Sequence, residues 1–588
     1  MVKIGPSFSD FVIQGKASRR KRISSSLGNS MRDFFPVFVL LTLFLIIFFK
    51  LFYLQVVRAA YYKNLSDGNR IRTKVTRAER GIIFDRNAKA LVRNLPAFRI
   101  LDKDKVIFID NKQALSLIAQ GKADTLEADV QREYLYKDIF SHVLGYTGQI
   151  SQDELMMPEF KTYNPGDFVG KTGIEEEYEQ LLKGEDGKEL YEMDAKGKTI
   201  RFLGKQEAVP GRDIYTTLDL NLQLSVFNAL ENISKGAVVV SDPNNGAILA
   251  IVSKPSYDPN LFTHAQNYTA GSEYKTISSV LLDTDNQPML DRAISGVYPP
   301  GSTFKIIVSA AALELKAINK DTKFEDTGVL RVGNFSFGNW YYSSYGRTEG
   351  YLDVIGAIKR SNDIFFYKTA ETIGVDKIAG FAKKFGLGAK LGIDVPGETK
   401  GVIPTTSWKK EIIGDQWYLG DTYHFGIGQG YLLTTPLQVN SWASVFANGG
   451  TLFKPHILNG KDRILNSNFI KRENINLIRE GMKQSCSTGG VAWPFFEFKI
   501  QNSKFKIDGE DYTEVSSGSA KLVKIQVGCK TGTAETSEDK DPHAWITVFA
   551  PFKKPEIVVT VLVENGGEGS NVAAPIAKKI LEDYFSKK

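Results

Sequence analysis

Three short segments of this 588-residue chain carry side chains that together could transfer an acyl group. The first offers a hydroxyl nucleophile and an amine base, the second a further hydroxyl, and the third a second amine on a probable strand. Covalent acyl transfer needs a nucleophile activated by a neighbouring base, and a lysine can replace histidine in that role. In chain order the segments are Ser302-Thr303-Phe304-Lys305, Ser361-Asn362-Asp363 and Lys530-Thr531-Gly532-Thr533.

A serine followed three residues later by a lysine says little by itself. The same spacing begins at five other serines, namely Ser18, Ser272, Ser407, Ser503 and Ser537. Ser302 differs from them in its setting, because residues 298–301 (Tyr-Pro-Pro-Gly) cannot continue a helix and residues 306–313 form an apolar run. The pattern therefore predicts that Ser302 lies at or near a helix N-terminus.

At such a position, free backbone N–H groups and the helix dipole favour a developing alkoxide. Residues three apart share a helix face, so the sequence predicts that the Lys305 amine reaches the Ser302 hydroxyl. Burial disfavours a charged lysine, which suits a base that works near neutral pH. The alternative is a capping serine followed by a lysine that extends to solvent.

The other two segments have weaker local signals. Ser361 separates a helical stretch, residues 354–360, from the apolar residues 364–367, which predicts a short loop between two helices. Helix N-capping is the alternative explanation. Lys530 follows an alternating run over residues 523–527 that predicts a strand. Gly532 would let a peptide backbone approach the strand edge, although a strand-ending turn is the simpler possibility.

With these motifs in this order, the chain resembles the class B penicillin-binding proteins, the monofunctional D,D-transpeptidases of bacterial cell-wall synthesis. The resemblance covers nearly the whole chain after the N-terminal tail. Residues 417–422 and 426–430 favour the elongation branch, penicillin-binding protein 2. Further matching segments are Arg80 to Asn87, Gly170 to Tyr178, Thr216 to Asp219, Pro255 to Asn260 and His543 to Trp545.

The resemblance implies a fold and a set of roles. The fold would be α+β and multidomain: a transmembrane helix, a β-rich pedestal, and a serine β-lactamase-like transpeptidase domain whose antiparallel sheet is flanked by helices. Ser302 would attack the D-Ala-D-Ala bond of a stem peptide, with Lys305 as base. Ser361 and Lys530 would return the proton. Substrate would be bound by the remaining positions, namely Asp363, Thr531, Gly532 and Thr533, with the Ser302 and Thr533 N–H groups forming an oxyanion hole. For Asp363, a hydrogen bond to Lys305 is the alternative role.

The chain divides into four predicted segments by composition. Residues 1–33 form a basic, polar tail, and residues 34–57 form an apolar run that would be about 36 Å long as a helix, enough to span a bilayer. Residues 58–211 are charged and loop-rich and resemble the family's non-catalytic pedestal, and residues 212–588 form the transpeptidase domain. Within that domain the sequence predicts a β-hairpin over residues 236–252, strands over residues 543–550 and 557–564, and a closing helix over residues 573–585. The positive tail predicts a cytoplasmic N-terminus and an extracytoplasmic catalytic domain in the bacterial inner membrane. A cleaved signal peptide is the alternative.

Composition argues against several other classes. The net charge of +7 is concentrated in the tail, so it does not indicate a nucleic-acid surface. Residues 166–172 are one residue short of a phosphate loop. The five histidines are scattered, so we expect no metal and no cofactor. We expect Cys486 and Cys529 to be free or buried thiols, and a disulfide is the second possibility.

The resemblance also implies partners: peptidoglycan stem peptides, β-lactams, and other membrane proteins of the elongation complex. The pedestal shows no glycosyltransferase motif, which implies a separate polymerase of the SEDS (RodA-like) type. Three alternatives remain at this point: a division-type class B transpeptidase, a β-lactam-binding sensor or hydrolase, and a non-enzymatic scaffold.

Overall fold

The computed structural model describes residues 30–102, 105–109, 111–122, 126–194, 198–264, 268–460, 462–501, 512–517, 520–536 and 539–587. Contacts divide them into two compact units. The first comprises residues 30–74 and 189–205, and the second comprises residues 75–188 together with those after 205. The predicted basic tail over residues 1–33 lies almost entirely outside the described residues. The predicted domain boundaries at residues 58, 211 and 212 stay a prediction.

Short helices and strands alternate through the N-terminal part of the chain. In order they are α1 (Ser30–Phe52), a π-helical turn (Tyr53–Val57), α2 (Ala59–Arg70), β1 (Ile71–Thr76), β2 (Ile83–Phe84), β3 (Val92–Asp102), β4 (Lys105–Ile109), α3 (Asn111–Ala119), β5 (Glu127–Tyr134), a 3₁₀ turn (Lys137–Phe140), α4 (Ser141–Leu144), β6 (Thr147–Gln149), α5 (Gln152–Leu155), a 3₁₀ turn (Pro158–Phe160), β7 (Phe168–Gly170), α6 (Gly173–Glu177), α7 (Glu179–Leu182), β8 (Gly187–Met193), β9 (Thr199–Gln206) and β10 (Ile214–Tyr215).

Longer helices are found in the rest of the chain. The elements are α8 (Leu220–Ala229), β11 (Gly236–Ser241), β12 (Ile248–Lys254), α9 (Asn260–His264), α10 (Ile277–Leu281), a 3₁₀ turn (Gly301–Phe304), α11 (Lys305–Glu314), β13 (Phe324–Asp326), β14 (Val329–Val332), β15 (Phe335–Gly338), α12 (Trp340–Tyr345), β16 (Gly350–Leu352), α13 (Val354–Arg360), α14 (Asp363–Ile373), α15 (Val375–Ala382), a 3₁₀ turn (Lys383–Phe385), α16 (Thr406–Trp408), a π-helical turn (Lys409–Ile413), α17 (Leu419–Gly426), α18 (Pro436–Asn448), β17 (Leu452–Phe453), β18 (Ile464–Asn466), α19 (Arg472–Ser485), a 3₁₀ turn (Trp493–Phe495), β19 (Lys499–Gln501), β20 (Tyr512–Ser517), β21 (Ala520–Ile525), β22 (Gly528–Ala534), β23 (His543–Ala550), β24 (Ile557–Val563) and α20 (Ala573–Ser586).

The first unit contains an apolar helix and a small sheet. Residues 34–57 are helical throughout, with a mean hydropathy of 2.7, and their side chains are not buried within the protein. This length and composition match the predicted single-pass membrane anchor. After α2 the sheet has the strand order β1-β8-β9. Ile200 and Phe202 of β9 are more than half exposed.

The second unit is built around a five-stranded antiparallel sheet in the order β12-β11-β24-β23-β22. Alternate residues of β23 point to opposite faces, as a strand's period of two requires. Trp545 and Phe549 pack with helices α11 and α18 on one face, and Ile546 and Val548 pack with α8 and α20 on the other. Both faces are thus covered, which explains why β23 and β24 are almost continuously apolar.

Several sequence predictions for this sheet are confirmed. The hairpin over residues 236–252 is β11 and β12, the strands over 543–550 and 557–564 are β23 and β24, and the C-terminal helix is α20. The strand predicted over residues 523–527 is partly wrong. β21 ends at Ile525 and belongs to a separate three-stranded sheet, whereas the Lys530 motif lies inside its own strand, β22. The chain passes from one sheet to the other between them, which an alternating pattern cannot reveal.

Candidate active site

The turn that carries Ser302 is held in place by close backbone packing. Gly301 has a φ of +54° and its N–H donates to the Gly428 carbonyl at 2.9 Å. A Cβ atom at Gly428 would lie 2.1 Å from the Gly301 carbonyl oxygen, so only glycine fits there. Ser302 therefore lies in a fixed 3₁₀ turn at the start of α11, as the sequence predicts, and its side chain is partly exposed.

The Lys305 side chain begins α11 and is fully buried. Its amine donates to Asp363 Oδ1 at 2.6 Å, to the Ser361 carbonyl at 2.8 Å and to Ser361 Oγ at 3.4 Å. These three bonds use all three of its N–H donors. Within the described part of the chain the Ser302 hydroxyl has no hydrogen-bond partner. The predicted contact between the Lys305 amine and the Ser302 hydroxyl is therefore not formed here, because the Asp363 carboxylate holds the amine.

Ser361 lies between two helices in a constrained backbone conformation. It caps the C-terminus of α13 with a φ of +53°, which is uncommon for a residue other than glycine. Asn362 then caps α14, because its side-chain oxygen accepts from the Phe365 N–H at 2.9 Å. The loop between the helices is as short as the sequence predicts. Its conformation fixes the Ser361 hydroxyl, and left-handed residues of this kind cluster at functional sites.

The Lys530 amine reaches the same hydroxyl from the sheet. Its side chain, on β22, is fully buried. Its amine donates to Ser361 Oγ at 2.8 Å and to the Thr531 carbonyl at 2.9 Å. The Ser361 hydroxyl thus lies between two buried amines, those of Lys530 and Lys305. The structure therefore brings side chains of all three sequence segments together: Lys305 from the first, Ser361 and Asp363 from the second, and Lys530 from the third.

Burial lowers the pKa values of both amines. For Lys305, burial lowers the pKa and the charge of Asp363 opposes that effect. For Lys530, burial and then the positive charge of Lys305 place the pKa well below its ordinary value. Two ammonium groups on one hydroxyl in a poorly solvated site repel each other strongly. The Asp363 carboxylate thus favours the charged form of Lys305, whereas burial and the Lys305 charge favour the neutral form of Lys530.

β22 packs directly onto the Ser302 turn through Gly532. A Cβ atom at Gly532 would lie 2.9 Å from the Pro300 carbonyl oxygen and 3.0 Å from Thr303 Cγ2. β22 is also the last strand of the central sheet, so one edge of its backbone has no strand partner among the described residues. Thr531 is buried beside Lys530, whereas Thr533 is exposed. An extended peptide could pair with this edge next to Ser302.

Sequence reasoning missed three residues that support the second segment. The Trp340 N–H donates to Asp363 Oδ2 at 2.9 Å, and the Asp363 N–H donates to Asn339 Oδ1 at 3.1 Å. The Asn362 amide donates to Glu349 Oε2 at 3.0 Å. These partners come from the region of β15, α12 and β16, and no motif or spacing marks them. Their role depends on tertiary packing that the sequence does not display.

The two cysteines form a disulfide, with their Cα atoms 5.9 Å apart. The expectation of two separate thiols is therefore wrong. Cys486 caps the end of α19 and Cys529 lies in β22, one residue before Lys530. The packing of α19 against β22 places the two side chains together, which their separation of 43 residues could not indicate. Over the described ranges, no group of three or more potential metal ligands is found.

Two domain families match this chain. Residues 236–582 match the penicillin binding protein transpeptidase domain, and residues 109–216 match the penicillin-binding protein dimerisation domain. Since the first match covers more than half of the chain, the chain belongs to the penicillin-binding protein transpeptidase family.

Curated relatives indicate which branch of this family the chain resembles. The chain is 31% identical to the peptidoglycan D,D-transpeptidase MrdA of Haemophilus influenzae, over 92% of this chain and 90% of the relative. It is 30% identical to MrdA of Escherichia coli, over 99% and 96%.

Solved structures agree with that assignment. A Helicobacter pylori penicillin-binding protein (PBP2), in a complex with MreC, has a TM-score of 0.72 and 27% identity, with 88% of this chain and 99% of that chain covered. Pseudomonas aeruginosa PBP2 in complex with WCK 5153 has a TM-score of 0.67 and 29% identity, with 87% and 96% covered. The predictions of the penicillin-binding protein 2 branch, of the fold class and of a peptidoglycan D,D-transpeptidase activity are confirmed.

Proposed function

We propose that this chain cross-links peptidoglycan stem peptides during cell-wall elongation through an acyl-enzyme on Ser302. The observation that carries the proposal is the Ser361 hydroxyl, which two buried amines share beside the Ser302 turn. Such a site can take up, move and return a proton without water. A cross-linking reaction needs these three proton transfers, because it forms an ester and then consumes it. Water near that ester would hydrolyse it before the second substrate arrives.

In the first step the Ser302 oxygen attacks the carbonyl carbon of the penultimate D-alanine. Its proton passes to the Lys305 amine, which must be neutral at that moment. The ion pair with Asp363 favours the charged form, so Lys305 must first lose a proton. A path exists through Ser361 Oγ, which lies 3.4 Å from the Lys305 amine and 2.8 Å from the Lys530 amine. Lys530 thus receives the proton that Lys305 gives up.

The tetrahedral intermediate then collapses. The peptide C–N bond breaks, and the departing terminal D-alanine takes a proton from Lys530 through the Ser361 hydroxyl. The Ser302 and Thr533 N–H groups would stabilise the oxyanion. In the second step an amine from a neighbouring stem attacks the ester carbonyl and gives up a proton to Lys530 through the Ser361 hydroxyl. The ester C–O bond breaks as the amide forms, and Lys305 returns a proton to the Ser302 oxygen. A β-lactam would acylate Ser302 by the same route and remain attached.

The open edge of β22 supports the way in which we propose substrate binds. An extended stem peptide would add to this edge as a further strand. Gly532 keeps the strand close to the Ser302 turn, and Thr531 and Thr533 would bind the terminal carboxylate. Asp363 would hold the Lys305 amine in position and would not contact the substrate, because its two carboxylate oxygens already accept hydrogen bonds from Lys305 and Trp340.

A pH profile of acylation tests this function. The wild-type protein should be labelled covalently by a fluorescent penicillin, and the rate should fall at acid pH as the lysine pair becomes fully protonated. Asp363 raises the pKa of Lys305. Removing its charge with Asp363→Asn should therefore move the acid limb to lower pH, by about one pH unit or more. Stopped-flow or gel-based labelling rates from pH 5 to 9 would measure it.

Asp321→Asn is the control for that experiment, because Asp321 is an exposed carboxylate whose ion-pair partner is the neighbouring Lys320. Its profile should match the wild type. A wild-type protein that no penicillin labels at any pH would contradict the proposed function. An acid limb that stays in place or moves upward in Asp363→Asn would contradict the proton path while leaving the acyl-enzyme intact.

We also propose that the N-terminus lies in the cytoplasm and the catalytic domain outside it. The densest basic cluster, five lysine and arginine residues within residues 16–22, lies before the apolar helix, which supports this orientation. A disulfide beside Lys530 supports the same conclusion, since such bonds persist outside the reducing cytoplasm. Protease added to intact spheroplasts should digest the catalytic domain, and protection would contradict the orientation.

A cross-linking enzyme needs glycan strands that another enzyme has polymerised, which implies a polymerase partner. This chain cross-links strands, and we propose that a SEDS-type (RodA-like) membrane polymerase supplies them, in contact with the anchor and pedestal. The H. pylori relative is described in a complex with MreC, and another structural neighbour is described in a peptidoglycan synthase complex. Exposed apolar side chains on β9, Ile200 and Phe202, provide surface of the kind that protein partners cover.

Co-purification from membranes tests the partner. A chimera whose residues 34–206 come from an unrelated anchor and spacer should lose the polymerase, because its contact surface, including all of β9, is gone. The matched control is Ser302→Ala in the natural chain, which alters the active site only and should retain the partner. If the chimera still co-purifies with the polymerase, the contact lies elsewhere and this part of the proposal is wrong.

A further inference from the structure

A charged cavity of about 90 Å³ lies in the N-terminal part of the second unit, away from the Ser302 turn. Its wall includes residues next to β3, β5 and β7. Five cationic and three anionic side chains line it. The cations are Arg77, Arg80, Arg99, Arg132 and Lys183, and the anions are Asp129, Asp167 and Asp186. The side chains that face the cavity thus carry two more positive than negative charges, an excess that carboxylates behind them offset.

Further carboxylates hold the arginines from behind the wall. Glu175 accepts from Arg80 at 2.6 Å and from Arg132 at 2.8 Å, and its side chain is fully buried. Glu179 also pairs with Arg80, and Glu127 pairs with Arg99. These ion pairs fix the orientation of the guanidinium groups of Arg80, Arg99 and Arg132. The arrangement resembles a built binding wall more than a solvated charged surface, because four of the lining cations are held rigidly.

One buried donor in this wall lacks a hydrogen-bond partner, and a half-buried lysine beside it lacks an ion-pair partner, among the described residues. Arg132 uses Nε on Glu175 and Nη1 on Asn94, but its buried Nη2 has no hydrogen-bond acceptor among the described residues. Arg132 is only 4% exposed. Lys183 has no carboxylate within ion-pair distance in the described ranges, and its ammonium lies 3.1 Å from the centre of the Tyr163 ring.

An unpartnered N–H in a buried site costs free energy unless something accepts from it. The cavity exceeds the space that one water needs. Hydroxyl groups of Thr147 and Thr263 also line it and could add hydrogen bonds. A group with several acceptor oxygens and negative charge would satisfy Arg132 and Lys183 together.

We infer that this cavity, the Arg132 cavity, binds a small oxyanion, either a phosphate or a carboxylate, between Arg132 and Lys183. This site is separate from the proposed function, since no residue of the three catalytic segments lines it. A ligand there would brace the sheet of β3, β4 and β5 against the motif that contains Glu175.

Titration of the full-length protein in detergent tests the inference. Sodium phosphate and sodium acetate serve as probes, each at constant ionic strength against sodium chloride, with calorimetry and thermal unfolding as readouts. We expect saturable binding and a raised Tm for at least one probe, and the tighter probe identifies the phosphate or carboxylate class. Lys183→Met should weaken binding at least about tenfold, because it removes a cation from the wall.

The matched control is Lys161→Met, which removes an exposed lysine of the same region and should leave binding unchanged. Arg132→Lys is a second test, since it keeps the charge but removes Nη2, and it should also weaken binding. Fluorescent-penicillin labelling of each variant shows that the protein is folded, independently of the cavity. No saturable binding beyond chloride, equal binding in Lys183→Met, or a crystal structure with water alone in the cavity at high phosphate would overturn the inference.

Discussion

Ser302→Ala should abolish covalent labelling by a fluorescent penicillin, with a fall in acylation rate of about 10⁴-fold or more. The reason is chemical: the alanine has no oxygen to form the ester, and the neighbouring Thr303 hydroxyl is buried and donates to the Pro300 carbonyl at 2.8 Å. The Ser302 hydroxyl also has no hydrogen-bond partner in the described part of the chain, so its loss should hardly affect folding. Gel fluorescence and intact mass after incubation with the penicillin would measure the loss.

The chain provides its own control for this prediction. Ser407 is an exposed serine that also precedes a lysine by three positions, and its hydroxyl forms a hydrogen bond with Thr405 Oγ1 at 3.0 Å. Ser407→Ala should be labelled as fast as the wild type. Labelling that survives in Ser302→Ala would show that another residue carries the acyl group, and the proposed mechanism would be wrong at its first step.

Lys305→Met should slow acylation by about 10³-fold, within the usual contribution of a general base. The methionine fills the space of the lysine stem but cannot accept the Ser302 proton. It also leaves the Asp363 carboxylate buried without its cation, which would destabilise the fold by about 3–5 kcal/mol. A loss of activity could then reflect unfolding, so the thermal unfolding of each variant must be measured with the rate.

The double variant Lys305→Met, Asp363→Asn separates the two effects. It removes both charges and should recover much of the lost stability, while acylation stays slow because the base is still absent. Lys377→Met, at an exposed site on α15, is the control and should match the wild type in both measurements. A double variant that is stable and acylates at the wild-type rate would show that Lys305 is not the base.

The local setting of the active site could be predicted because it depends on short-range rules. Two prolines and a glycine before an apolar run place Ser302 at a helix start, and the interruption at Ser361 places it between helices. Even the hairpin of β11 and β12 follows from alternation and a turn. Each of these features is decided within about ten residues of chain, which is the range over which sequence patterns are informative.

What the sequence could not show depends on contacts across the fold. Gly428 lies far from Gly301 in sequence, yet a Cβ atom at Gly428 would lie 2.1 Å from the Gly301 carbonyl oxygen. A Cβ atom at Gly301 would lie 2.7 Å from the carbonyl oxygen of Thr533, which is also distant in the chain. Asn339 and Trp340 bind Asp363 through a region whose sequence has no distinctive spacing. The direction of the Lys305 amine, toward Asp363 and not toward Ser302, is decided by a carboxylate 58 residues away.

The covalent link between Cys486 and Cys529 has a consequence for how the enzyme matures. It joins α19 to the strand that carries Lys530, and so ties that strand to a helix on the other side of the bond. In the proposed orientation, the link would form only after the catalytic domain has left the reducing cytoplasm. Recombinant material should accordingly be produced by secretion.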